Sequence, residues 1–165
     1  MGERALCALA RPTAECSVVL VDDAAMAELN HAYRGEVGPT DVLAFPMSEG
    51  RFRATWPSSR AQAEGPDLLG DVVISAETAA RQARVRKADF RGELALLLVH
   101  GILHLIGYDH GTAAERRRMG QTQRIILEAC GLRLEACGLR AAAARATPAA
   151  GDERRRPARF KRRKV

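Results

Sequence analysis

The sequence predicts a small domain of mixed α and β content followed by a basic tail, and three observations carry that expectation. Short, strand-like runs at residues 16–21, which is β-branched, 41–45 and 72–74 alternate with stretches whose apolar residues repeat at helical spacing. The most apolar stretch, residues 89–106, is hydrophobic on every side of a helix, which makes it the central element of a core. An apolar fraction of 47% over 165 residues is enough to build one such core.

Along the chain, residues 16–21 suit a buried strand, and Asp22-Asp23 supply the N-cap of a helix reaching Tyr33, with Met26, Leu29 and Tyr33 on one face. Gly35, Gly38 and Pro39 enforce a loop, after which residues 41–45 read as a second strand stopped by Pro46. Residues 47–67 are polar and contain Pro57, Gly65 and Pro66, as a long surface loop or a hairpin would. A third strand over residues 72–74 follows Gly70-Asp71; Ser75 then caps a helix over residues 76–86, whose first turn places Glu77 favourably for the helix dipole. Asp89 opens the apolar helix, which reaches Ile106 and is ended by Gly107. Thr112 caps a last helix over residues 113–130, with Gly131 as its stop. The heptapeptide Leu-Glu-Ala-Cys-Gly-Leu-Arg at residues 127–133 is repeated at once at 134–140, too short a copy for a solenoid unit, and reads as an extension of the terminus. The chain therefore divides into a domain over residues 1–140 and a tail over 141–165, which is rich in Ala, Pro and Arg and expected to be disordered in isolation.

Charge and cysteine content narrow the function classes. The net charge of +6 resides in residues 151–165, where eight Lys or Arg face two acids, so the remaining 150 residues are neutral. Arg154-Arg155-Arg156 and the basic residues from Arg159 to Lys164 suit RNA phosphates, with a solvated extension or a sorting signal as the alternative. Cys7, Cys16, Cys130 and Cys137 lack close Cys-x-x-Cys pairing and read as small apolar residues or surface thiols. No apolar run approaches the roughly 18 residues that cross a bilayer, and Glu3 and Arg4 interrupt what would be a secretory signal. A soluble, cytoplasmic protein is expected.

Three of the four histidines, His100, His104 and His110, fall within eleven residues. On a helix, positions i and i+4 share a face, so His100 and His104 can both reach one ion at about 2.0–2.1 Å. Gly107 permits the left-handed turn that returns His110 to the same point. Three protein ligands leave a tetrahedral ion one open position, as catalytic zinc requires. A shared Zn2+ is favoured over unrelated core or surface histidines, while His31 stands apart as an ordinary, partly exposed side chain.

The spacing is that of the metzincin proteases, which also need a glutamate directly after the first histidine as general base. Here that position is Gly101, so a metallopeptidase falls to second place unless Glu77 or Asp109 substitutes. Phosphodiester cleavage asks for a Lewis acid and a cation to offset phosphoryl charge. Arg34, in Tyr33-Arg34-Gly35 ahead of the loop to residue 41, is the arginine chosen as catalytic, with a solvated surface residue as the alternative that spacing does not exclude.

At these residues the chain resembles the YbeY-type rRNA maturation factors, a family of single-strand-specific metallo-endoribonucleases. The resemblance rests on Leu29-Asn30 with Tyr33-Arg34-Gly35, on residues 39–46, on Gly70-Asp71-Val72-Val73-Ile74, on the His100 to His110 motif and on Met119, in family order. It implies an α+β fold with a small mixed sheet packed against helices, one Zn2+ on His100, His104 and His110, and Arg34 as a catalytic or RNA-positioning residue. It also implies single-stranded ribosomal RNA as substrate, the ribosome or small-subunit proteins as partners, and roles in maturing the 3′ end of small-subunit rRNA and in ribosome quality control. A non-enzymatic ribosome-assembly factor with structural zinc is the remaining alternative. Asp41 would fix the loop carrying Arg34 through backbone amides or serve only as a turn cap; Asp109 would orient a ligand histidine or serve as a turn residue. Three features depart from the family: only fifteen residues precede the segment at 16–21, where a strand and a helix are usual; Ala44 stands in place of a serine; and the repeat and tail lie outside the pattern.

Overall fold

A computed structural model describes residues 1–47 and 67–139. The surface loop or hairpin expected beyond Met47 and the basic tail lie outside the described residues. The elements are α1 (Gly2–Ala8), β1 (Ala14–Val21), α2 (Asp23–Arg34), β2 (Val42–Pro46), β3 (Asp67–Ser75), α3 (Ala76–Arg86), α4 (Phe90–Leu105), α5 (Ala113–Ala129) and a 3-10 turn at Leu134–Cys137. The fold is α+β, with a three-stranded mixed sheet ordered β1-β3-β2: β1 runs parallel to β3 and β2 antiparallel to it.

The central strand explains its own sequence. Val72 and Ile74 enter the larger core against α4, whereas Val73 joins Leu43 and Met26 on the α2 side. Both faces of β3 are covered, and its apolar run is continuous rather than alternating for that reason. The strand begins at Asp67, five residues earlier than expected, because Gly70 admits a close crossing: at φ +128 a Cβ there would lie 2.0 Å from the Phe45 carbonyl oxygen. Pro46 does not stop β2 but ends it inside the ladder, opposite Gly70, at an edge where a missing N–H is tolerated.

Two expectations are corrected, and one element is new. β1 is not a buried strand: Val18, Val19 and Leu20 are 46, 45 and 55% exposed. It is an edge strand, with no strand partner on its outer side among the described residues, and only Ala14 of its residues is buried. The second copy of the heptapeptide is not a mere extension. Its 3-10 turn packs on α4, the Ala136 carbonyl accepts the Asp89 amide at 3.0 Å, and Cys137 is fully buried. Finally, residues 2–8 form a short helix whose Ala5 and Leu6 enter the core, an element too short for apolar periodicity to reveal.

Helix ends follow the local chemistry. Asp22, Ser75 and Thr112 accept hydrogen bonds from Ala25, Thr78 and Glu115 amides, and Thr112 with Glu115 completes a capping box. Asp89 flanks α4 without a side-chain cap bond. With ten buried residues, α4 is the centre of the molecule, touching β2, β3, α3, α5 and the 3-10 turn.

Candidate metal centre

His100 and His104 project from the last turns of α4, one turn apart. The helix then stops in a Schellman arrangement, in which the Gly107 amide donates to the His104 carbonyl and the Tyr108 amide to the Leu103 carbonyl. Gly107 has φ +88, the left-handed conformation that reverses the chain. The reversal brings His110 back: its ring centroid lies 5.7 Å from that of His100 and 5.0 Å from that of His104. One nitrogen from each ring falls within 4.8 Å of the others.

This donor set fits a metal ion. The Nε2 atoms of His100 and His104 are 3.2 Å apart, close to the roughly 3.3 Å edge of a tetrahedron with zinc–nitrogen bonds of about 2.0–2.1 Å. Burial holds both rings neutral, the form that donates a lone pair. His104 is pulled down to about 4 by desolvation and then by the neighbouring His100 and His110, against Asp109 and the Tyr108 backbone. His100 is lowered by desolvation in the same way, although its bond to Gln123 opposes the shift. His110 is exposed, which leaves one side of the cluster open to solvent. His31, exposed on α2, lies outside the cluster.

Several surrounding groups hold this geometry. Asp109 accepts from the His110 backbone amide at 2.7 Å, so it shapes the turn and does not bond a ligand ring. Arg116, from the first turn of α5, donates to the carbonyls of His110 and Gly111 at 2.8 and 3.2 Å, tying the ligand loop to that helix. Asp41 does bond a backbone amide, that of Val42 at 2.9 Å, and also accepts from Gln82 Nε2 at 2.9 Å. It lies close enough to His100 to favour the charged imidazole. Asn30, 3% exposed, donates to the Gly38 carbonyl at 2.9 Å and pins the loop between α2 and β2.

Arg34 occupies the last position of α2 and is exposed, with Gly35 in the left-handed conformation after it. It is not hydrogen-bonded to any of the three histidines and forms no ion pair among the described residues. Its neighbour Tyr33, expected on one face with Met26 and Leu29, is 67% exposed and packs edge-on against Phe45 of β2 at 4.8 Å. Sequence inspection missed Gln82 and Gln123, and it named Asn30 within a motif without giving it a role. The one signal available was polarity at positions where a helix otherwise turns apolar residues inward.

The peptidase alternative meets a steric obstacle. A Cβ at Gly101 would lie 2.5 Å from Val72 Cγ1, so this position faces the sheet and has no room for a glutamate. Glu77 and Asp109, the possible substitutes, are already engaged by the backbone amides of Asp23 and His110.

A mixed sheet backed by one central helix, with three imidazoles converging where that helix ends, defines an α+β protein with a three-histidine cluster able to hold a metal ion. Residues 4–131 match the family model described as Endoribonuclease YbeY. The chain belongs to this family. It is 50% identical over 122 residues to the Endoribonuclease YbeY of Moorella thermoacetica, covering 73% of this chain and 75% of that one. It is likewise 50% identical over 114 residues to the Salinispora tropica protein of that name, covering 69% and 73%. The solution structure of a Thermotoga maritima protein superposes with a TM-score of 0.51 at 28% identity, covering 78% of each chain.

Proposed function

We propose that this protein is a zinc-dependent endoribonuclease that cleaves single-stranded RNA, acting in the cytoplasm on the 3′ end of small-subunit ribosomal RNA and in ribosome quality control. The observation that carries the proposal is the convergence of His100, His104 and His110 on a volume the size of one ion with one side open, in a chain of the Endoribonuclease YbeY family. Bound there, Zn2+ would supply a Lewis acid toward a phosphoryl oxygen. Arg34, exposed and without an ion-pair partner among the described residues, is the cation that offsets charge on the phosphoryl oxygens. Asn30 and Asp41 keep the loop behind it in place. The basic tail adds salt-dependent affinity for RNA phosphates, and ribosomal small-subunit proteins are its neighbours during the reaction.

The test is cleavage of a short single-stranded RNA by the purified, zinc-loaded chain, with and without a chelator, beside Arg34→Ala. Cleavage that the chelator abolishes and that falls about 10²–10³-fold in Arg34→Ala supports the proposal. A zinc-loaded protein that leaves RNA intact, alone and on small ribosomal subunits, overturns it in favour of a non-enzymatic assembly factor with structural zinc.

A further inference from the structure

The inward stripe of α5 carries Met119, Ile126 and Leu127, all buried at helical spacing, and continues into the buried C-cap residue Cys130. Gln123 occupies the same stripe, four residues after Met119 and three before Ile126, where an apolar side chain would pack better. A half-buried amide among such neighbours needs partners, and it has two on α4. Gln123 Nε2 donates to the Leu96 carbonyl at 3.2 Å, and Gln123 Oε1 lies 3.4 Å from His100 Nδ1.

These contacts set a chain of polarity. A backbone carbonyl only accepts, so Leu96 requires the amide nitrogen of Gln123 on its side and turns Oε1 toward the imidazole. Oε1 also only accepts, so Nδ1 of His100 must be the ring nitrogen that carries the proton. A neutral imidazole has one proton to place. Its Nε2 is then a bare lone pair, and Nε2 is the atom that faces His104.

We propose that Gln123 is a positioning residue of the metal centre: it fixes His100 in the Nδ1–H tautomer and in one ring orientation, so that Nε2 is presented to the ion before the ion arrives. Nothing else in the described structure bonds His100 Nδ1. The inference rests on the assignment of His100 as a ligand, and it deepens that assignment by naming the group that prepares it.

The experiment combines a measurement on the metal-free protein with one on metal affinity. Two-dimensional nitrogen–proton NMR of histidine-labelled, metal-free protein at mildly alkaline pH reads the tautomer, with the His100 signals assigned from their loss in His100→Ala. The wild type should show His100 protonated at Nδ1, and Gln123→Ala should shift it toward the Nε2–H form that free imidazole side chains prefer. Zinc affinity, from competition with a chromophoric chelator, should fall about 10–100-fold in Gln123→Ala. Gln123→Glu, which keeps an acceptor for Nδ1–H, should recover the tautomer and most of the affinity. A wild-type His100 protonated at Nε2 overturns the proposal whatever the variants do. So does a folded Gln123→Ala that binds zinc as tightly as wild type. A wild type that binds no zinc overturns the ligand assignment and this inference with it, whereas failure confined to the Gln123 comparison leaves the ligands standing.

Discussion

Among the described residues Glu93 is the one buried carboxyl side chain, and a buried carboxylate is costly. It is completely inaccessible, in the first turn of α4, and the cation paired with it among the described residues is Arg86 at 2.7 Å, itself 40% exposed. Its second oxygen has no partner among the described residues. Desolvation raises its pKa, against the pull of Arg86. A carboxyl whose folded pKa is raised binds its proton more tightly folded than unfolded. The folded chain therefore gains stability as pH falls from that raised value toward about 4.3, and loses this gain as pH rises again through the folded pKa. Denaturant unfolding across this window, with chelator present, should show the gain in wild type and not in Glu93→Gln. Arg86→Ala should cost about 3–5 kcal/mol at neutral pH, with much of the loss recovered in Arg86→Ala/Glu93→Gln. Equal losses in the single and double variants would show that the carboxylate charge is not the cause.

At the scale of elements, the contact between α4 and β3 decides where the metal centre can be. Gly101 lets the helix lie on Val72, a fully buried β-branched residue with little freedom to swing aside. Gly101→Ala would gain about 1 kcal/mol of helix propensity but would overpack the seam at a cost of about 1–3 kcal/mol. The expected outcome is a net loss of up to about 2 kcal/mol, read as a lower denaturation midpoint with an unchanged m-value; a more stable variant would mean that the seam is looser than its geometry indicates. The glycine that removes the peptidase's general base is therefore also the residue that permits close packing of helix on sheet. Elsewhere, helix starts were legible because Asp22, Ser75 and Thr112 act on amides only three residues away. The exposure of β1 was not, because a run of valines and leucine carries the same pattern at a sheet's edge as at its centre.

For the molecule as a whole, zinc would connect the end of α4 to the loop that leads into α5, and binding to the folded state alone adds stability by mass action. At a free zinc concentration of 100 times Kd the gain is about 2.7 kcal/mol. A thermal scan should show the melting temperature rising with zinc for wild type and not for His104→Ala, which should also lose stoichiometric zinc. A His104→Ala protein that keeps one zinc per chain would refute the ligand set. Among the described residues no helix is long and apolar enough to cross a membrane.

What the sequence determined by itself was local. Caps, glycine stops, the apolar helix and the i, i+4 pair of histidines depend on residues within one or two turns of each other, and neighbours in the chain are neighbours in space whatever the fold. The return of His110 was legible for the same reason, since Gly107 acts within the motif. The tertiary structure alone decided which partners come from afar: Gln123 against His100 across 23 residues, Gln82 against Asp41 across 41, and the Leu134–Cys137 turn against the start of α4. These pairings arise when amphipathic faces are buried together, and a polar residue within such a face reveals its purpose only when the opposite face is in place.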